Sequence, residues 1–294
     1  MKTILYLTLS LLFYFTVPVY AEATQEEQGI TAEQWLYRGD KDLAQHHYTE
    51  AILDYSKAIE LNPGYVSAYV NRGNAYFSKK QFDAAINDYT QAIALAPSSP
   101  IIYYNRGTAY SNIHQYDVAI ADYSKAIELN PSYDAAYYNR GDAYLKKGLL
   151  DLALADFDKK VELQPSSSNG YLGRGIVYKK KKQYELALGN LNKAIELTPH
   201  LAVAYTYRAD IYGLLKEYKQ VIDDCKQALR LDPNLKEMNF NLAQAFELMG
   251  NKTEAINYYK IVLSEFPNVP ETKKYRDKAQ LRLQDDWKSN SEWF

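Results

Sequence analysis

"PIIYYNRGTAYSNIHQYDVAIADYSKAIELNPSY", residues 100–133, holds two amphipathic stretches joined by a short polar turn. In the first, Tyr103, Gly107 and Tyr110 recur at spacings of four and three, which puts them on one face of a helix. In the second, Ala119, Ile120, Tyr123, Ala126 and Ile127 keep one helical face apolar. The turn between them falls near Asn112–Gln115. Pro131 cannot continue the second helix, and it disfavours helix at Asn130 before it.

The stretch is one copy of several. "SKAIELNP" at 56–63 returns letter for letter at 124–131, and "NKAIELTP" stands at 192–199. Prolines at 63, 97, 131, 165, 199, 233 and 267 are each 34 residues apart. Seven units follow: 32–65, 66–99, 100–133, 134–167, 168–201, 202–235 and 236–269. Their eighth place is always small: Gly39, Gly73, Gly107, Gly141, Gly175, Ala209 and Ala243. The twentieth is Ala51, Ala85, Ala119, Ala153, Ala187, Val221 and Ala255. Rings fill the fourth place from Trp35 to Tyr205 and the eleventh from Tyr76 to Phe246. With the seventeenth and twenty-fourth places, this lattice takes up eighteen of the 29 tyrosines, so the tyrosines read as packing rather than as a cofactor or aromatic cage.

A 34-residue helix-turn-helix with aromatic, Gly, Tyr, Ala, aromatic, Ala and Pro at set places resembles the tetratricopeptide repeat (TPR) family. The resemblance implies an all-α solenoid, a right-handed superhelix whose first helices line a concave groove. Each unit covers its neighbour's apolar face, which is why the sequence repeats. It implies a protein or peptide partner held in that groove, without naming one.

The ends differ from the repeats. Residues 1–21, "MKTILYLTLSLLFYFTVPVYA", have a positive start, an apolar middle and small residues at the expected cut. That order predicts a cleaved signal peptide and an exported protein, periplasmic or secreted, with no stable membrane span afterwards. The alternative is an uncleaved anchor. Residues 22–31 read as a polar linker, and 270–294 as a capping helix, from about Glu271 to Asp286, with a tail. Trp287, Trp293 and Phe294 fold onto that helix or form a docking tail.

Charge and motifs exclude several classes. A net charge of -2 supplies no basic field, so no nucleic-acid partner is expected. A single cysteine allows no intrachain disulfide, and Cys225 sits on a ring place, hence buried and inert. No phosphate-cradling glycine loop, HExxH, CxxC or GxSxG occurs, and the four histidines are scattered. No enzyme activity, cofactor or metal is therefore expected.

Three charge features carry further expectations. The seventh place holds Arg38, Arg72, Arg106, Arg140, Arg174 and Arg208, and the twenty-third Asp54, Asp88, Asp122, Asp156, Asn190 and Asp224. The seventh unit loses both, with Leu242 and Tyr258, which predicts an internal Arg–Asp ladder. Lys160 stands where other units carry Ala or Val, and is expected to reach solvent and weaken the joint between units four and five. "KKKK" at 179–182 reads as a solvated turn or as a positive patch for an acidic partner.

Through the resemblance, the groove takes the second, fifth, ninth, twelfth and thirteenth places of each first helix. In the middle of the chain these include Asn74, Phe77, Tyr104, Asn112, Tyr138, Asp142, Lys146, Lys179 and Lys180. Tyr104 and Tyr138 follow the packing rings Tyr103 and Tyr137, so they read as spare to the core and as binding anchors. The lysines favour a ligand with nearby acids. Asn74 and Asn105 match two asparagines of the family's clamp for chaperone-tail carboxylates, but Val70, Ala135 and Asn139 replace its cations, so that function is not expected. The expected role is an exported, non-catalytic scaffold. The alternative is a structural subunit of an envelope or secretion assembly that packs by its ends or convex face.

Overall fold

A computed structural model describes residues 29–284. Trp287, Trp293, Phe294, the leader at 1–21 and most of the linker lie outside the described residues. Those residues form fifteen helices and no strand, paired unit by unit. The pairs are α1 (Ala32–Ala44) with α2 (Tyr48–Leu61), α3 (Val66–Ser78) with α4 (Phe82–Leu95), and α5 (Pro100–Asn112) with α6 (Tyr116–Leu129). Next come α7 (Asp134–Lys146) with α8 (Leu150–Leu163), and α9 (Ser168–Lys180) with α10 (Tyr184–Leu197). The last two are α11 (Ala202–Leu214) with α12 (Tyr218–Leu231), and α13 (Glu237–Leu248) with α14 (Lys252–Glu265). Helix α15 (Pro270–Gln284) follows and packs on α14. Each second helix packs on the first helix of the next unit, so the array is an all-α solenoid.

Small against large makes each pair close. A Cβ added at Gly39, Gly73 or Gly107 would meet the ring of Tyr55, Tyr89 or Tyr123 at 2.6, 2.7 and 3.0 Å. Those rings, at the twenty-fourth place, are buried, and burying each contributes roughly 2–3 kcal/mol. The fourth- and eleventh-place rings have another task. Arg140 lies over Tyr137 and Tyr144, and Arg208 over Tyr205 and Tyr212, each within 6.0 Å of the ring centre.

The ladder joins the two helices of one unit. Arg72, Arg106, Arg140 and Arg208 each bind the Asp sixteen residues on through two nitrogens, at 2.7–2.8 Å. The Asp hydrogen bonds, first among the causes, hold each guanidinium more firmly protonated than usual. Their third nitrogen reaches back to the preceding unit, onto Ser56, Thr90, Ser124 and Asn192. Unit five departs, because Asn190 replaces the acid. Arg174 turns to Asp158 of the preceding unit, 3.2 Å away but out of line, and its buried Nε–H donates to no partner among the described residues.

Every turn between the two helices of a unit has one left-handed residue, at the fifteenth place: His46, Lys80, His114, Gly148, Lys182, Lys216 and Gly250. Only two are glycine, so the sequence does not advertise the conformation.

Lys160 corrects an expectation. It does not reach solvent. It is 8% exposed, and its ammonium binds Asp134 and Gln164. Its stem takes space left by Gly170, where an added Cβ would sit 3.2 Å from Lys160 Cγ. Cys225 is fully buried, and burial pushes its thiol up to about 12.

Candidate peptide-binding groove

The first helices touch one another in sequence from α1 to α11, so their free faces form one continuous surface. Two side-chain series run along it. The sixth-place asparagine of one unit donates to the ninth place of the unit before: Asn71 to Asp40, Asn105 to Asn74 at 3.3 Å, and Asn139 to Thr108. The twenty-fourth-place tyrosine donates to the ninth place of its own unit: Tyr55 to Asp40, Tyr89 to Asn74, and Tyr123 to Thr108.

The expected site residues fall on this surface with unequal freedom. Asn74 and Asn105 are committed to each other. Phe77 packs edge-on against Phe82. Asn112 is exposed, but its amide donates to the Thr108 carbonyl. Lys146 and Lys180 are exposed. Lys179 is not the open cation it was expected to be, since its ammonium binds Asp210 and lies 5.1 Å over Tyr207. The positive patch is likewise half consumed, because Lys181 bridges to Asp151 and Lys147 to Asp117 of the preceding unit.

Tyr104 and Tyr138 are not spare to the core either. Both are half-buried. Tyr104 packs against Tyr123 and Tyr133 and accepts a hydrogen bond from Asn139 at 3.1 Å. Tyr138 packs against Phe157 at 5.7 Å. Burial raises the pKa of both phenols. Each ring is thus held in place and keeps one side on the surface, the state of a pre-organised contact.

Asp142 differs from its equivalents. It is half-buried beside Tyr138, and no hydrogen bond or ion pair reaches it among the described residues. Burial raises its pKa, and Lys146 one turn on lowers it less. A second feature the sequence did not suggest lies further along. Between α11 and α13 the surface opens into a cavity of about 260 Å³, lined by Asp210, Gly213, Leu214, Tyr218, Asn241 and Leu248. The available signal was Gly213, at a twelfth place filled elsewhere by larger residues such as Phe77 and Leu145.

The family profiles described as TPR repeat match 39–79, 73–113 and 115–148, and those described as tetratricopeptide repeat match 134–167, 168–201, 202–235 and 238–268. The chain belongs to the tetratricopeptide repeat family. Solved TPR structures agree. One from Parabacteroides merdae is 20% identical, with a TM-score of 0.70, covering 85% of this chain and 98% of that one, and supports the fold alone. YrrB, a TPR protein with an unusual peptide-binding site, is 27% identical, with a TM-score of 0.53, covering 61% of this chain and 92% of its own. MamA is 28% identical, with a TM-score of 0.52, covering 54% and 93%. No curated protein is significantly similar to this TPR chain.

Proposed function

We propose that this TPR protein is an exported, non-catalytic scaffold that holds a peptide or protein segment on its first-helix face. TPR proteins are protein-interaction scaffolds, and the likeness to YrrB supports a peptide. The observation that carries the reading is the pair Tyr104 and Tyr138: rings fixed by Tyr123, Tyr133 and Phe157 yet partly exposed on the surface. Fixed rings offer contact area at low entropy cost. Export rests on the leader at 1–21, and the division into leader, linker, seven units and cap rests on the 34-residue period.

A second reading, a structural subunit of an envelope or secretion assembly, is favoured by one observation. Val118, Leu152 and Leu186 stand at the same place of α6, α8 and α10 and are 41%, 49% and 52% exposed. Such a stripe marks a contact surface.

A photo-crosslinking residue at position 112 or at position 152 separates the two in the native extracytoplasmic compartment. Adducts from 112 alone support the groove; adducts from 152 alone support the assembly subunit and overturn the groove. Tyr104→Ala with Tyr138→Ala is expected to weaken the captured partner's binding by roughly 1–3 kcal/mol. Its thermal stability also falls, because both rings pack on buried ones.

A further inference from the structure

In units one to three the ninth-place residue receives two donors. Asp40 is bound by Tyr55 and Asn71, Asn74 by Tyr89 and Asn105, and Thr108 by Tyr123 and Asn139. Around the ninth place of unit four both donors are missing at once. Phe157 takes the tyrosine's place without a hydroxyl, and Gly173 takes the asparagine's place without a side chain. The residue left in the gap is Asp142, the group for which losing donors costs most.

The gap is built rather than accidental in its packing. The Phe157 ring leans on Gly173, where an added Cβ would sit 2.6 Å from it, so no asparagine fits there beside that ring. Tyr138 stands beside the acid, close enough that the Asp142 charge helps to raise its pKa, after burial. The groove lysines do not satisfy it. Lys146 is exposed and beyond ion-pair distance, and Lys179 is held by Asp210.

We propose that Asp142 is the seat for a basic side chain, arginine before lysine, carried by the segment bound on this face. A guanidinium supplies two parallel donors in place of the missing hydroxyl and amide. The ring of Tyr138 supplies a face for its plane or stem. An acidic or neutral side chain brings no charge to match the carboxylate. This inference rests on the groove reading of the proposed function and adds the sign of the ligand's central contact.

The probe is a set of capped nonapeptide pools with Arg, Lys, citrulline, Gln or Glu fixed at the centre, titrated against the purified full chain. The Arg pool is expected to bind about tenfold more tightly than the citrulline pool, the yield of one charge-assisted contact. Asp142→Asn abolishes that ratio. Phe157→Tyr reduces it while keeping the fold, because the restored hydroxyl reoccupies the carboxylate. Equal binding of Arg and citrulline, preference for the Glu pool, or an Arg preference that survives Asp142→Asn overturns the assignment and leaves the groove reading standing. Binding of no pool, with crosslinks from position 152 alone, overturns both.

Discussion

Asp142 carries a cost that a pH series can read. Burial raises its folded pKa above the ordinary carboxylate value of 3.8. The folded state therefore holds the proton more tightly than the unfolded chain, and stability is lost as pH rises from 3.8 through the raised value. Asp142→Asn should raise the melting temperature at pH 7, and the gain should vanish on acidification toward the lower end of that window. An unchanged melting temperature at pH 7 would show that the carboxylate is comfortably solvated. Arg106 and Asp122 make the opposite case. Arg106→Leu leaves a buried carboxylate unpaired and should cost roughly 2–3 kcal/mol. Adding Asp122→Leu should cost little more; a second full loss in the denaturant midpoint would contradict the pairing. Lys160→Ala should lower stability, since it removes two polar partners and a stem that fills the space beside Gly170. These residues also show where sequence reading stops. The Arg–Asp pairing was legible because both residues vanish together in unit seven. The fates of Lys160 and Lys179 were not, because their partners, Asp134 and Asp210, follow no repeated spacing. The three places that isolate Asp142 stand in plain sight as Asp, Phe and Gly, but only packing brings them together.

At the scale of the helix pair, the left-handed turn residue is the regular cost. Five of its seven occupants are His or Lys, which strain there by about 1–2 kcal/mol where glycine does not. Lys80→Gly should therefore stabilise the chain by about 0.5–1 kcal/mol after the entropy cost of glycine, measured by urea unfolding. Gly148→Ala should do the reverse by a similar amount. Helix existence and order were readable from the period alone, since small and large residues alternate at fixed places. The turn conformation was not, because five of its seven side chains carry no glycine signal. The cavity between α11 and α13 was equally hidden, as it depends on how far two helices stand apart rather than on which residues form them.

Across the whole molecule, the units are similar but not equal. Arg38 makes one hydrogen bond to Asp54 and its side chain is 51% exposed, against 18–19% for Arg72, Arg106, Arg140 and Arg208. In a one-dimensional array, local opening starts where neighbour terms are weakest. Amide exchange should therefore be faster in α1 and α2 than in α5 and α6, and equal protection would overturn this gradient. The groove reading, the crosslinking test and the pool titration concern the same surface, but each can fail alone.

The backward reach of the guanidinium gives the chain a direction. Arg106 finds its acid within its own unit and its remaining acceptor, Thr90, in the unit already made. Nothing in that rung waits for residues further along. A unit that emerges after its predecessor can thus lock onto finished structure as soon as its second helix is free, so this rung favours assembly from the N-terminal end onward.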